Sequence, residues 1–147
     1  MFYEANLEEK IMNLEENIST ISQLPGTDLY FIHLIPGEEV HTKLMELITS
    51  VGIKDFIVVS SIGSFKNVLF HTIKEDTGLP VREDDLNIHK MEGPFEVLSL
   101  EGLRIQNAKV PHFHVILGAS DGSVVGGHLR KAFVYTTLLV TATSIST

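Results

Sequence analysis

The chain has 147 residues, 44% of them hydrophobic and 20% charged, which is the size and balance of one ordinary globular domain with core enough to fold without staples. It has no cysteine, and that excludes disulfides, thiolate metal sites, iron–sulfur clusters and a cysteine nucleophile. Eleven Lys and Arg stand against nineteen Asp and Glu for a net charge of −8, and without a basic run or tail this argues against strong nonspecific binding to duplex DNA.

At the N-terminus, residues 1–5 carry neither a basic nor an apolar leader region. The longest apolar stretches are strand-sized, so no membrane span is expected, and the expected location is cytoplasmic. Residues 6–12 and 13–19 form a seven-residue repeat, Asn-Leu-Glu-Glu-Lys-Ile-Met followed by Asn-Leu-Glu-Glu-Asn-Ile-Ser. Leu7, Ile11, Leu14, Ile18 and Ile21 follow the 4-3-4-3 spacing of one helical seam. Asn6 is a fair N-cap, with Glu8 and Glu9 in the first turn. The spacing predicts a helix over 6–22, laid on its own domain or on another subunit. Pro25-Gly26-Thr27-Asp28 breaks the pattern, which divides the chain into an N-terminal helical extension at 1–25 and a main domain at 26–147.

Leu29 to Ile35 reads as a strand, stopped by Pro36-Gly37. Glu38-Glu39 then opens a helix to about Ser50, with Val40, Leu44, Leu47 and Ile48 as its buried stripe. Candidate strands follow at 55–61, 66–73, 86–91, 94–101, 108–118, 123–129 and 132–142, most of them separated by Gly, Pro, Asn or Asp. One main packed helix plus an N-terminal helix against many strands, without βαβ alternation, implies an α+β fold with a largely antiparallel sheet. Neither a Walker loop nor a GxGxxG turn is present.

Chemistry concentrates in residues 111–129. On a strand, His112 and His114 share one face while Phe113, Val115 and Leu117 share the other. Ser120-Asp121-Gly122 reads as a three-residue hairpin loop with Gly in the left-handed position. That loop pairs Ala119 with Ser123 and puts His128 opposite His114. A two-residue Asp-Gly loop shifts the register by one and sends His128 to the other face, unless a bulge at Gly126-Gly127 restores it. In the first register His112, His114 and His128 form a candidate metal site. Three neutral imidazoles suit a borderline divalent ion, zinc above all, and leave a position for water or substrate. The alternative is a set of hydrogen-bonded histidines at a subunit interface. His33, His41, His71 and His89 read as ordinary surface or boundary residues. Glu38 and Glu39 serve a helix start by position and are the candidate catalytic carboxylates near the metal. Glu96 is solvent-facing or a buried partner; Arg104 and Arg130 are surface residues or anchors for an anion.

The block His112-Phe113-His114-Val115-Ile116-Leu117-Gly118-Ala119-Ser120-Asp121-Gly122, continued by Ser123-Val124-Val125-Gly126-Gly127-His128-Leu129, resembles the signature of the plants-and-prokaryotes-conserved (PPC, or PCC) domain. Gly93-Pro94-Phe95-Glu96-Val97-Leu98 resembles that family's Gly-Arg-Phe-Glu-Ile-Leu block, with Pro94 where plant members have Arg. Pro36-Gly37-Glu38-Glu39 and Ser61-Ile62-Gly63-Ser64 fit its earlier blocks. The likeness spans about 27–142 and leaves the N-terminal helix outside. It implies an α+β domain that assembles as a homotrimer. In land plants the domain follows DNA-binding AT-hooks and mediates assembly; this chain has no Arg-Gly-Arg-Pro hook. Stand-alone prokaryotic members are commonly labelled DNA-binding, which implies a regulatory role. The fold is also similar to that of acetolactate decarboxylase, whose zinc is held by a His-x-His pair and a later His; carried over, these are His112, His114 and His128.

Three functions are therefore expected, in descending order: a trimeric domain binding zinc or a small ligand, a zinc-dependent lyase or decarboxylase acting on a small oxo-acid with Glu38 or Glu39 as proton carrier, and a DNA binder, which the net charge disfavours.

Overall fold

A computed structural model describes residues 18–106 and 108–146. In chain order they form β1 (Thr20–Gln23), β2 (Leu29–Leu34), α1 (Val40–Ser50), β3 (Phe56–Ile73), a short 3₁₀ turn (Glu83–Asp85), β4 (Leu86–Arg104), β5 (His112–Ala119) and β6 (Val124–Ser144). Every strand pairing is antiparallel. The strand order is β1-β2-β6-β3-β4-β5, and β5 pairs with β6 as well. Strands β3, β4, β5 and β6 therefore close on themselves, which removes free edges among them.

Helix α1 starts because Glu39, in extended backbone, accepts hydrogen bonds from the amides of His41 at 3.3 Å and Thr42 at 2.8 Å. This is the N-cap role of a short acidic side chain filled by a longer one. The helix lays Val40, Leu44 and Ile48, each at most 1% exposed, onto a core that includes Phe56, Phe65, Phe113 and Leu138. Each such side chain contributes about 1.5–3 kcal/mol by leaving water. The stripe expected for this helix is the one observed, with Leu47 only partly buried.

Three expectations need correction. The helix foreseen over 6–22 lies outside the described residues as far as residue 17; beyond that, Thr20–Gln23 is a strand paired with β2, Thr20 opposite His33. The β-branched pair Thr20-Ile21 suits that edge, and Ile21 packs against the core. Secondly, the breaks expected within 61–66, 91–94 and 129–132 are not turns. The chain runs through each, giving strands of 18, 19 and 21 residues, and several register shifts bend them, among them those between Gly63 and Phe65 and between Phe65 and Asn67. A Gly or Asn marks a departure from regular strand, and long-range pairing decides whether it becomes a turn or a bulge. Thirdly, the strand expected from 108 starts at His112: Ala108 N is bonded to Ile105 O at 3.1 Å, and Pro111 has no N–H for a ladder.

Candidate metal centre

The β5–β6 hairpin turns through the three-residue loop. Ala119 N donates to Ser123 O at 2.8 Å and Gly122 N to Ala119 O at 2.9 Å, with Gly122 at φ +83°. The Asp121 carboxylate accepts from Ser123 N at 2.9 Å and from Ser123 Oγ at 2.6 Å, which locks the loop. His114 consequently faces His128. Phe113, Val115 and Leu117 are at most 1% exposed, while His112 and His114 face out on the opposite side.

The three rings converge. Centroids lie 5.0 Å apart for His112–His114, 4.4 Å for His112–His128 and 5.6 Å for His114–His128. The Nε2 atoms of His112 and His114 are 3.1 Å apart, and one nitrogen of each of the three rings lies within 4.8 Å of the others. Ligand nitrogens around a tetrahedral zinc are roughly 3.3 Å apart, from Zn–N distances of about 2.0–2.1 Å, so this donor set fits such an ion after small side-chain rotations. Burial, then the neighbouring His71, His112, His114 and Arg130, push His128 down to about 4. At neutral pH its ring is uncharged and offers a lone pair.

Gly126-Gly127 does not form a bulge; the β5–β6 register runs unbroken from Val124 to His128. Its purpose is proximity. A Cβ on Gly127 would lie 2.5 Å from the His71 carbonyl oxygen, and one on Gly126 would lie 2.3 Å from that of Val115. Two bare backbones let β6 slot between β5 and β3 beside His128.

That slot brings in a residue the sequence did not single out. His71 on β3 pairs opposite His128, and the two rings stack at 4.3 Å with an 11° interplanar angle. Arg130 Nε donates to His71 Nδ1 at 2.9 Å, and an Arg130 terminal nitrogen bonds Glu83 at 2.5 Å. Burial, then the Arg130 charge, hold His71 below the ordinary histidine range, against an opposing pull from Glu83. Continuing the same row, Glu101 on β4 faces His114. His71, Glu83, Glu101 and the three histidines line one cavity of about 1140 Å³, together with Arg82 and apolar groups such as Ile116 and Val125. The pairings of β3 with β6 and of β4 with β5, with the Arg130–Glu83 contact, bring these groups together, and no local spacing in the sequence signals that.

Other candidates are placed elsewhere. Glu38 and Glu39 do not line this cavity. Glu38 is 3.8 Å from Lys43 Nζ. The Glu39 carboxylate, which burial alone would push up, is brought to about 2 by hydrogen bonds from His41 and Thr42. Glu96 is exposed. Arg104 donates to Ala108 O at 2.6 Å and to Lys54 O. His33 and His41 are buried, at 9% and 8% exposure, rather than at the surface. His89 stacks on Phe70 at 4.9 Å and bonds Thr72 Oγ1 at 2.9 Å.

The model of the Plants and Prokaryotes Conserved (PCC) domain matches residues 22–146. The chain belongs to this family. No curated protein matches the sequence. Among solved structures, a PPC protein from Pyrococcus horikoshii shares 22% identity over 91% of this chain and 87% of its own, with a TM-score of 0.67. A metal-containing protein from Archaeoglobus fulgidus shares 23% identity over 88% and 86%, also at 0.67. A candidate DNA-binding protein from Bacteroides thetaiotaomicron shares 17% identity over 89% and 87%, at 0.72. At these identities the likeness establishes the PCC fold.

Proposed function

We propose that this PCC-domain protein forms a homotrimer and binds one divalent metal, zinc, through His112, His114 and His128, with a small molecule as its further ligand. The observation that carries the reading is the convergence of three imidazole nitrogens within 4.8 Å on a cavity wall. The metal-containing neighbour from Archaeoglobus supports it. A divalent ion there would supply Lewis acidity toward a carbonyl or carboxylate oxygen. His128 is kept neutral and ready to bind by its burial, and Ile116 and Val125 line the cavity with apolar surface. The trimer is supported by apolar side chains left exposed on the strands, Val59 at 57%, Ile62 at 64% and Leu98 at 56%.

The second reading, a zinc-dependent lyase acting on a small oxo-acid, is favoured by Arg82 and the apolar wall in one cavity, a combination suited to a short carboxylate. Glu101, facing His114, is then placed to hold a proton, in the role first considered for Glu38 and Glu39. DNA association rests on the names of two structural neighbours; the net charge of −8 opposes it. Among the described residues no helix is long and apolar enough to cross a membrane, in keeping with a cytoplasmic protein.

The deciding experiment is elemental analysis of protein purified with chelator and then offered zinc. One zinc per chain is expected, lost in His128→Ala; no uptake, or uptake unchanged in that variant, removes the reading. Light scattering is expected to give three times the 16.3 kDa chain mass, and a monomer contradicts the assembly. A gel shift at low salt is expected to be negative; a salt-sensitive shift would assign DNA instead.

A further inference from the structure

The fourth imidazole of the cavity is held differently from the other three. His71 Nδ1 lies 2.9 Å from Arg130 Nε. An arginine nitrogen always carries its hydrogens and has no lone pair to give, so the imidazole nitrogen is the acceptor. A neutral ring with Nδ1 accepting carries its single proton on Nε2. Glu83, from the 3₁₀ turn, grips the far end of the same guanidinium at 2.5 Å, and the 4.3 Å stack on His128 fixes the ring plane. The tautomer and orientation of His71 are thus dictated by protein groups.

A metal ligand needs a free nitrogen lone pair. In His71 one nitrogen is engaged by Arg130 and the other bears hydrogen, so this ring cannot complete a fourth protein bond to a cation. What it offers the cavity is an N–H. We propose that His71 is a preset neutral hydrogen-bond donor to an oxygen of a small carboxylate ligand held beside the three-histidine site, with Arg130 and Glu83 as its positioning residues. A neutral, fixed N–H beside a cation site polarises such an oxygen without reorganising. The ligand half of this inference rests on the metal reading above; the tautomer half does not.

Two measurements test it. Nitrogen-15 NMR of metal-free, histidine-labelled protein reads the tautomer of His71 directly. The proton is expected on Nε2, and Arg130→Met is expected to release that preference; a proton on Nδ1 in the parent overturns the proposal. Calorimetric titration of zinc-loaded protein with glycolate then tests the donor. His71→Phe keeps a ring to stack on His128 and removes the N–H. It is expected to leave zinc uptake within about twofold and to weaken glycolate about tenfold, the size of one hydrogen bond to a charged group, with partial recovery in His71→Gln. Zinc uptake falling in His71→Phe as it does in His128→Ala would make His71 a ligand instead. Glycolate binding that is absent from the parent, or unchanged in His71→Phe, removes the donor role. If the parent takes no zinc, the metal reading falls by itself and the NMR result still decides the tautomer.

Discussion

The two faces of strand β5 present the same residue types to opposite fates. Toward the core, Phe113 meets the ring of His41 at 5.1 Å, and His41 is 8% exposed with its Nδ1 3.5 Å from Glu39 Oε1. Toward the cavity, His112 and His114 meet His128, His71 and Glu101. Each side has histidine and glutamate in close company. At the start of α1 the Glu39 oxygens are occupied by two amides and the Thr42 hydroxyl, so the carboxylate is committed to capping. In the cavity the imidazoles are accessible and the carboxylates lie at the wall. Residue type alone does not assign a chemical role; the face and the hydrogen bonds already made decide it.

The sharpest way to break this contrast is to substitute along β5. Phe113→Ala, in the core, is expected to cost about 3–5 kcal/mol in chemical denaturation, while His114→Ala next to it should change stability by less than about 0.5 kcal/mol and abolish zinc uptake. Equal stability losses would mean that the cavity face is also core. Next comes Gly127→Ala, whose added carbon meets the β3 backbone; a loss of about 1–3 kcal/mol is expected, together with weaker zinc uptake, because the variant shifts His128 relative to His112 and His114. A stability loss without any change in uptake would separate the glycine from the site. Glu39→Ala should cost about 1 kcal/mol, the size of a helix cap, and leave zinc uptake at the parental level; lost uptake would return this carboxylate to the site.

The last contrast is in pH dependence. In metal-free protein His128 titrates near 4 when folded against an ordinary 6.5. The unfolded chain therefore takes the proton first, and stability falls as pH drops from about 6.5 toward 4. His128→Gln should flatten that limb. Glu39, at about 2 against an ordinary 4.5, contributes stability that is complete above 4.5 and lost as pH falls toward 2, and Glu39→Gln should flatten this lower limb alone. Thermal melts across pH 2–8 would read both limbs, and a single limb common to the two variants would deny the separation.

Local chemistry was enough for much of this molecule. Alternation along 112–117 set which side chains go inward, Ser120-Asp121-Gly122 chose its own loop, and the loop set the register that joins His114 to His128. The apolar stripe of α1 and its acidic start were equally plain. These features depend on a few neighbouring residues, and steric and hydrogen-bonding rules act on them directly. Tertiary structure decided the rest. His71 and Glu101 reach the histidines only because β3 and β4 close a ring with β5 and β6. Gly63 bends a strand that it was expected to end. Each of those outcomes hangs on pairings between distant segments, and the free energy of such pairings belongs to the whole assembled sheet rather than to any stretch of chain.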